Sequence, residues 1–566
     1  MRAYLFLIII LLSSQLKSQN SGDYPVDIPI ILSSSFGELR PNHFHSGIDI
    51  KTQGIEGFEV FSIGDGYISR IQITLGGNGK ALYIKHDNGQ SSVYAHLKEF
   101  SPRIEQIVKN IQYSNKSYTL RKYPKADEYR ISKKEVIGYS GNTGRSTAPH
   151  LHYELRDEND KPLNPMAYKS YAVEDTIPPI LLDVYFKKIF LDHKGVLSYN
   201  QSDFSKLNLK KINSSIYVSD TLKINGLIGF GVNSYDKMNN TWNKMGLSFI
   251  ETNVNGEKLF EMDFNKFSFD EWGHINNFID YATYKKFKYR IQKLFIEKSN
   301  PLSMYNRKLG DGFVEINEDE LNYLYTIKLS DYNKNLTEVL IPIKFDDGQE
   351  KKIKEVNSDH LYYINNDSIY DINLKNSSIK IFNNSFYSDT FLDFTEKKDY
   401  LHLDMDTIAL LKPITIKFNL NRYEKSMVDK LFIAKMDDIG GYSFVSNSIQ
   451  NDKMIARVKT LGDYQLKSDT IPPDVNLLNI RENQWVSNLK KIKIKISDKQ
   501  SGIKSYNAWI NGQWILLEYN PAKGILSYDF RDNVNSSTTR NNLLINIEDN
   551  SGNISEIETI FYRKIK

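Results

Sequence analysis

The sequence of 566 residues contains no cysteine. Disulfide bonds, a thiol nucleophile and a cysteine-ligated zinc ion are therefore excluded, and any transition metal must bind histidine and carboxylate side chains. The net charge of +4 is small for this length and gives little support for nucleic-acid binding. After residue 12, no apolar run is long enough to span a bilayer, which takes about 20 residues.

The longest apolar run lies at the N-terminus, over residues 5–12, between a short basic start at Arg2 and a polar stretch rich in Ser and Gln. This pattern is typical of a secretory signal peptide that is cleaved at about residues 18–20, and we predict one over residues 1–19. No cysteine follows for a lipid anchor. The sequence therefore predicts a periplasmic or secreted mature protein without a membrane span.

Composition and an internal repeat predict a mainly β chain with several domains. Tyrosine (36) and phenylalanine (29) are abundant, which favours strands. The length allows about three to five domains. The motif Asp-Thr-Ile-Pro-Pro occurs at residues 175–179 and again at 469–473, each time before a strand-rich stretch with closely spaced turns. We expect an N-terminal antiparallel-sheet domain followed by several β-sandwich domains.

The predicted domains are residues 20–172, 173–345, 346–468 and 469–566. In the first, the polar segment 99–134 reads as an insertion with a short helix near Ile104–Ile111, and it is a candidate lid over a substrate groove. In the second, about Ile275–Lys298 reads as a helical insertion. The last domain resembles the immunoglobulin-like modules of bacterial surface proteins.

Histidines are concentrated in the first domain, which contains six of the ten: His43, His45, His86, His96, His150 and His152. His150 and His152 are two apart, so on a strand both point to one face. A catalytic zinc ion takes three protein ligands, keeps a fourth position for water and activates that water for attack. The spacing predicts metal-assisted hydrolysis outside the cytoplasm, but it does not decide which histidines are ligands.

Three motifs surround these histidines. Phe-Gly-Glu-Leu-Arg and His-Ser-Gly-Ile-Asp lie within residues 36–49, Tyr-Ala-His-Leu occupies residues 94–97, and a glycine-rich stretch at 138–154 ends in His-Leu-His-Tyr-Glu. In type and order they resemble the motifs of the lysostaphin/LytM-type zinc endopeptidases. The resemblance covers about residues 35–168. Two departures are Ala148, where glycine is common in that family, and the long segment between His96 and Val136.

The resemblance implies that His45, Asp49 and His152 bind Zn²⁺. It also implies that His96 and His150 are the catalytic pair, which orients or deprotonates the attacking water and stabilises the oxyanion. The substrate of that family is the peptide part of bacterial peptidoglycan. The resemblance thus implies a secreted or periplasmic zinc metalloendopeptidase that remodels or lyses the cell wall.

Two other interpretations use the same residues. In one, the chain is a non-catalytic envelope protein that binds wall peptides or activates another wall hydrolase. In the other, it is an adhesin whose C-terminal β domains contact an envelope or surface partner.

Among minor candidates, Asn42 is considered as a mask for the metal in a latent form. Asp498 and Asp549 are considered as calcium ligands, although a solvated turn is the simpler interpretation. We expect His43 and His86 to be exposed, and four further histidines to be structural: His193, His274, His360 and His402.

Overall fold

The computed structural model describes residues 24–167, 173–191, 197–198, 203–320, 322–348, 361–532 and 538–564. The predicted signal peptide at residues 1–19 lies outside the described residues, as do His193 and His360. Regular structure within these ranges is mostly β-strand, which confirms the predicted mainly β fold. No helix in the described ranges is both long and apolar enough to cross a membrane.

The first unit, residues 24–167, is built on an antiparallel sheet. Its strands are Leu32–Ser34 (β1), Leu39–Arg40 (β2), His43–Phe44 (β3), Ile48–Lys51 (β4), Glu59–Phe61 (β5), Gly66–Ile73 (β6), Lys80–His86 (β7), Ser91–Ala95 (β8), Glu99–Phe100 (β9), Leu120–Lys122 (β10), Arg130–Ile131 (β11), Val136–Tyr139 (β12), His150–Arg156 (β13) and Pro162–Leu163 (β14). The main sheet has the order β1-β4-β13-β8-β7-β6-β10, with β11 paired to β6 and β14 to β13. A second sheet has the order β5-β12-β9, and β2 pairs with β3.

The central strands β7, β8 and β13 are buried along almost their whole length. Both faces of the sheet are therefore covered at these strands. The turn Asp87–Gln90 joins β7 to β8, with the N–H of Gly89 donating to the carbonyl of His86. Gly89 has a φ of 86°, in the region that favours glycine.

The segment 99–134 contains a helix, α1, over Pro102–Asn115, where the sequence predicts one. Proline at the first turn suits a helix start, and Ile104 and Val108 form its buried face. The rest of the segment adds β10 and β11 to β6, at the edge of the main sheet far from β4 and β13. The contacts described for the segment therefore place it at a sheet edge.

The described part of the second unit, within residues 173–348, contains two large sheets and one two-stranded sheet. Its strands are Ile180–Lys188 (β15), Phe190–Leu191 (β16), Leu197–Ser198 (β17), Ser205–Lys206 (β18), Leu209–Lys211 (β19), Ile216–Ser219 (β20), Leu222–Ile224 (β21), Gly226–Tyr235 (β22), Phe249–Val254 (β23), Glu257–Asp263 (β24), Gln292–Lys293 (β25), Val314–Ile316 (β26), Asn322–Ser330 (β27) and Leu336–Phe345 (β28). One sheet has the order β18-β15-β22-β25, with β26 on β22, and the other β19-β20-β28-β27-β23-β24, with β21 on β28. β16 and β17 pair with each other.

The predicted helical insertion at Ile275–Lys298 is only half helical. It contains two short helices, Ile275–Phe278 (α2) and Tyr281–Phe287 (α3), preceded by the 3-10 turn Phe269–His274. The prediction is wrong from Gln292 onward, because Gln292–Lys293 forms β25 and pairs with β22. The open edge of β22 decides the conformation there, and pairing with it outweighs the local helical pattern.

The third unit, residues 361–468, also has two main sheets. Its strands are Tyr362–Ile364 (β29), Tyr370–Asn373 (β30), Ser377–Ile381 (β31), Thr390–Leu392 (β32), Phe394–Lys397 (β33), Tyr400–Leu403 (β34), Ile414–Asn419 (β35), Leu431–Met436 (β36), Tyr442–Ser446 (β37), Ser448–Gln450 (β38), Lys453–Val458 (β39) and Gly462–Ser468 (β40). Their orders are β30-β31-β35-β39-β38 and β33-β34-β40-β36-β37, with β29 paired to β32. A short helix, Lys425–Val428 (α4), precedes β36. Both sheets contribute to one hydrophobic core.

The fourth unit, residues 469–564, is a four-stranded sheet and a five-stranded sheet around a core of their own. Its strands are Asp474–Leu477 (β41), Gln484–Trp485 (β42), Lys491–Ser497 (β43), Ile503–Ile510 (β44), Gln513–Trp514 (β45), Glu518–Asn520 (β46), Ile525–Asp529 (β47), Arg540–Asp549 (β48) and Ile554–Tyr562 (β49). The orders are β41-β43-β47-β46 and β42-β49-β48-β44-β45. Short 3-10 turns elsewhere are Pro165–Ala167, Arg307–Leu309 and Phe530–Asp532.

The first and second units share one hydrophobic core. Phe44 of β3 packs against Phe267 and Phe278 of the second unit, with ring centroids 5.6 and 6.3 Å apart. The fourth unit also contacts the first, since Lys80 Nζ lies 2.9 Å from Glu518 Oε1. The first unit is thus packed between two β units. The predicted boundaries between domains remain predictions.

Candidate metal centre

Three of the predicted residues converge where β4 and β13 pair. In the register of the two strands, Asp49 faces His152 across the sheet. Asp49 Oδ1 lies 2.9 Å from His152 Nδ1 and 3.2 Å from His45 Nε2. The two imidazole nitrogens are themselves 3.1 Å apart. All three side chains are buried, and their ligand atoms form one group that could hold a metal ion.

Gly47 allows the chain to pass close to β13 between two of these residues. A Cβ atom at this position would lie 2.3 Å from the carbonyl oxygen of Tyr153, which no side chain can accommodate. The close approach positions His45 and Asp49 on either side of Gly47, next to His152. The glycine of the His-Ser-Gly-Ile-Asp motif therefore has a steric function.

The outer nitrogens of the two converging histidines have oxygen partners. His45 Nδ1 lies 2.7 Å from the carbonyl oxygen of Ser35, and His152 Nε2 lies 3.0 Å from Glu154 Oε1. A carbonyl or carboxylate oxygen accepts the N–H of a neutral imidazole, so the lone pair of the other nitrogen is then available to a metal ion at the centre. This arrangement is the usual outer support of metal-binding histidines.

Glu154 belongs to the centre although sequence reasoning gave it no role. Its Oε1 accepts a hydrogen bond from Ser46 Oγ at 2.6 Å, and its Oε2 accepts one from Arg156 Nε at 2.8 Å. His150, His152, Glu154 and Arg156 follow at every second position of β13, so they share a face. The alternation along the strand is the signal that could have identified Glu154.

His96 and His150 lie beside the three converging residues. The His96 ring centroid is 4.7 Å from that of His150 and 5.8 Å from that of His152. Each Nδ1 is 2.8 Å from a carbonyl oxygen, of Thr143 for His96 and of Ala148 for His150. Both Nδ1 atoms are thus hydrogen-bond donors, and both Nε2 atoms keep their lone pairs.

A left-handed backbone places His96 on this face. His96 follows directly after β8, whose last residue, Ala95, pairs with His152. On a continuing strand the next side chain would point to the opposite face. His96 instead has a φ of 59°, an unusual conformation for a residue with a Cβ, and its ring turns toward the other histidines.

Burial and mutual charge shift the pKa values of these groups strongly. Burial raises the pKa of Asp49, but His45 and His152 outweigh it and hold the pKa well below its usual range. For His152 both effects act in the opposite direction. Burial lowers the pKa, but Asp49 and Glu154 outweigh burial and raise the pKa to about 9. Burial lowers the pKa of His96 to about 3, and it also lowers that of His150. The two neighbouring histidines are therefore neutral at pH 7.

The other candidates named from the sequence lie outside the centre. The amide oxygen of Asn42 accepts a hydrogen bond from Asn276, which does not fit the idea that it masks the metal. His86 is buried, not exposed, with Nε2 2.7 Å from Ser92 Oγ. His43 is half-buried against Trp272, and His402 lies 2.6 Å from Asp463.

The second unit borders the centre. The N–H of Gly246 donates to Ser35 Oγ at 2.8 Å, and the carbonyl of this same Ser35 holds His45. The Trp242 ring lies 4.2 Å from Nζ of Lys51, the residue that pairs with His150. Trp242 is 82% exposed. A large apolar ring therefore stands in solvent next to the centre, although sequence analysis gave it no role.

Two imidazoles and a carboxylate around one point, with two further imidazoles beside them, are a donor set that could hold a metal ion. The family comparison agrees. Residues 43–114 and 111–165 match the profile of Peptidase family M23. The chain therefore contains a peptidase M23 domain. Residues 361–469 match a Zu5-like domain, a similarity that sequence analysis did not find.

The matches to named relatives cover only part of each relative's length. The chain is 34% identical over 157 residues to the DD-carboxypeptidase/endopeptidase Mpg of Neisseria meningitidis serogroup B, which is 26% of this chain and 30% of that protein. It is 31% identical over 138 residues to the peptidoglycan DD-endopeptidase ShyA of Vibrio cholerae, 23% of this chain and 26% of that protein. The chain thus spans less than a third of these two relatives.

Solved structures also match part of the chain. The catalytic domain of lysostaphin from Staphylococcus simulans is 22% identical, with a TM-score of 0.19, and the match covers 25% of this chain and 91% of that one. A zinc-containing peptidase from Vibrio cholerae is 24% identical, with a TM-score of 0.19, over 27% of this chain and 39% of that one.

Proposed function

We propose that the protein is a zinc metalloendopeptidase that hydrolyses peptide bonds in bacterial peptidoglycan. In this proposal His45, Asp49 and His152 bind Zn²⁺, and His96 and His150 are the catalytic pair. The observation that carries the proposal is the convergence of Asp49 Oδ1 with His152 Nδ1 and His45 Nε2 at 2.9 and 3.2 Å.

The donor atoms fit a zinc ion. Ligands at about 2.0–2.2 Å from a tetrahedral zinc ion lie roughly 3.3–3.5 Å from one another. The three donor atoms are 2.9–3.2 Å apart, close to that spacing. Oxygen partners on the outer nitrogens of His45 and His152 leave the inner nitrogens as lone-pair donors. A zinc ion bound there would polarise the scissile carbonyl and make a bound water acidic.

The two neighbouring histidines supply the remaining groups. His96 and His150 are neutral, and their Nδ1 atoms are held by backbone carbonyls. Each Nε2 is thus a base that can take a proton from the attacking water and, once protonated, donate to the developing oxyanion. Fixed carbonyl partners hold both rings in place, so little reorganisation is required during the reaction.

The substrate and the location are proposed from the relatives and the N-terminus. The ShyA relative is named a peptidoglycan DD-endopeptidase, and residues 1–19 of this chain read as a signal peptide. We therefore place the mature protein in the periplasm or outside the cell. The C-terminal β units would contact the envelope or a surface partner there.

Digestion of isolated peptidoglycan by purified residues 20–566 tests the proposal. We expect peptide fragments to be released with zinc, to disappear with a chelator, and to return when zinc is added back. The variant Asp49→Ala should not retain zinc, and its turnover should fall by at least about 100-fold. Mass spectrometry of the fragments identifies the bond that is cut.

The alternative, a non-catalytic envelope protein, gives a different result. It predicts no cleavage by the zinc-loaded protein, and unchanged stimulation of a second wall hydrolase by Asp49→Ala. That outcome would refute the enzyme proposal. A carboxylate away from the centre, the exposed Glu158, provides the matched control Glu158→Gln, which should keep full activity.

A further inference from the structure

Three carboxylates meet at the ends of strands in the second unit, away from the metal centre of the first. Asp175 lies in the residues that lead into β15, Asp236 follows β22 directly, and Asp331 follows β27 directly. One oxygen of each lies within 4.8 Å of the others. Oxygen ligands at about 2.3–2.6 Å from one calcium ion are separated by up to roughly 5 Å, so this spacing suits a shared ion.

Asp236 provides a second and independent observation. Its side chain is only 4% exposed, and its Oδ1 atom has no hydrogen-bond partner. Its nearest charged groups, Asp331 and Asp175, are both acidic. A buried carboxylate oxygen without a donor or a cation is costly, and native structures rarely leave one unsatisfied.

A cavity lies at the same place. It sits between the first and second units, is lined by side chains of both, and includes Asp175 and Asp236 in its wall. Two side-chain amides also hold the backbone of Asp175. Nδ2 of Asn333 and Nδ2 of Asn335 both donate to its carbonyl oxygen. The cluster thus has room for a small ligand and a fixed frame around it.

The repeat of the Asp-Thr-Ile-Pro-Pro motif offers an internal comparison. Asp469, Asp498 and Asp549 form a similar group in the fourth unit. There the carboxylates have donors: Ser501 donates to Asp469 through N and Oγ, and Gly502 N donates to Asp498. We therefore propose no cation site in that second group. In the first group Asp175 accepts from Ile177 N, and Asp331 accepts from N and Nδ2 of Asn335. The unsatisfied Oδ1 of Asp236 is therefore what distinguishes the first group.

We propose that Asp175, Asp236 and Asp331 bind a divalent cation with oxygen ligands, of the calcium class, at the junction between the first and second units. Three carboxylates and no nitrogen or sulfur donor match the preference of Ca²⁺. The ion would connect the residues before β15 to the ends of β22 and β27. It would thereby hold the start of the second unit against two of its own strands, beside the cavity between the two units.

The test measures thermal unfolding and ion binding of the full mature chain, loaded with zinc, in calcium-free buffer and in millimolar CaCl₂. We expect calcium to raise the thermal midpoint of the wild type by about 3 °C or more. We expect Asp236→Asn to abolish that rise. In calcium-free buffer near pH 7 the variant should be about as stable as the wild type, because asparagine replaces a carboxyl group that burial keeps mostly neutral, with a pKa raised to about 8.

Asp220→Asn is the matched control, since Asp220 is an exposed carboxylate of the same unit. It should keep the full calcium effect. Isothermal titration with CaCl₂ should give one bound ion fewer for Asp236→Asn than for the wild type. The proposal is overturned if calcium leaves the wild-type midpoint unchanged, or if Asp236→Asn binds calcium as the wild type does. In either case a proton on Asp236, whose pKa burial and its acidic neighbours raise to about 8, satisfies the cluster instead.

Discussion

His152 is held between two carboxylates, and Glu154 supports it from the side away from the metal centre. The Nε2 atom of His152 lies 3.0 Å from Glu154 Oε1, and Arg156 neutralises the other oxygen of that carboxylate. A carboxylate in this position fixes the tautomer and the orientation of a metal-binding imidazole. Glu154 is thus a positioning residue of the proposed zinc site.

The variant Glu154→Gln tests this relationship. We expect its zinc affinity to fall by about 10–100-fold, since the amide holds the imidazole less firmly and makes it a weaker donor. Competition with a chromophoric chelator measures the affinity. Glu158→Gln, on the turn after β13, should bind zinc as the wild type does. An unchanged affinity in Glu154→Gln would show that Glu154 has only a structural role.

Variants of the proposed catalytic pair should separate chemistry from metal binding. We expect His96→Gln and His150→Gln to lower kcat by about 10²–10⁴-fold while the zinc content stays at one ion per chain. Metal analysis and turnover of a soluble wall peptide provide the two readouts. His43→Gln, outside the centre, should stay within a few-fold of the wild type. Loss of zinc from the His96 or His150 variants would instead identify that residue as a ligand.

Much of the centre could be predicted from the sequence. The period of two along β13 places His150 and His152 on one face, and the order of the three motifs links them to His45 and Asp49. The same period could have identified Glu154. His96 is different, because strand alternation alone points its side chain away from His152. Its position depends on a φ of 59°, which no local pattern predicts.

The remaining errors have tertiary causes. The helical pattern after Gln292 gives way to pairing with β22, a strand nearly sixty residues earlier in the chain. His86 is buried, and its ring has partners there, since Nδ1 lies 3.3 Å from the carbonyl oxygen of Asp65 and Nε2 lies 2.7 Å from Ser92 Oγ. Lys80 opens β7, and its ammonium meets Glu518 of the fourth unit. Such contacts between distant segments are not visible in local sequence patterns.

Trp242 leads to a prediction about substrate binding, which depends on the proposed function. Its ring is 82% exposed and stands beside Lys51, next to His150 in the sheet. We expect Trp242→Ala to raise KM several-fold at unchanged kcat, because an aromatic surface beside the centre contributes to binding without taking part in the chemistry. Steady-state kinetics with a wall peptide measures both constants.

A second exposed tryptophan provides the control for this variant. Trp485 is 58% exposed and lies in the fourth unit, where it stacks on Tyr562. Trp485→Ala removes a similar area and should leave KM unchanged. Equal KM values for Trp242→Ala and the wild type would mean that the substrate does not reach the second unit.

The contact between the first and fourth units should make stability depend on pH. Burial raises the pKa of Glu518, but Lys80, Lys491 and Lys109 outweigh it and lower the pKa to about 2. The ordinary value is about 4.3. A depressed pKa means that the pair stabilises the folded state fully above about pH 4.3, and that this stabilisation is lost as the pH falls toward 2. A shift of about two units corresponds to roughly 3 kcal/mol.

The variant Glu518→Gln checks both the size and the sign of this effect. At pH 7 we expect a loss of about 3 kcal/mol in the free energy of unfolding, because Lys80 keeps its charge in a buried place without its partner. The difference from the wild type should shrink between about pH 5 and pH 2, where Glu518 becomes protonated in the folded wild type. Glu558→Gln, an exposed carboxylate of the same unit, should change stability by less than about 0.5 kcal/mol at every pH. A difference that stays constant down to pH 2 would show that Glu518 does not stabilise the contact through its charge.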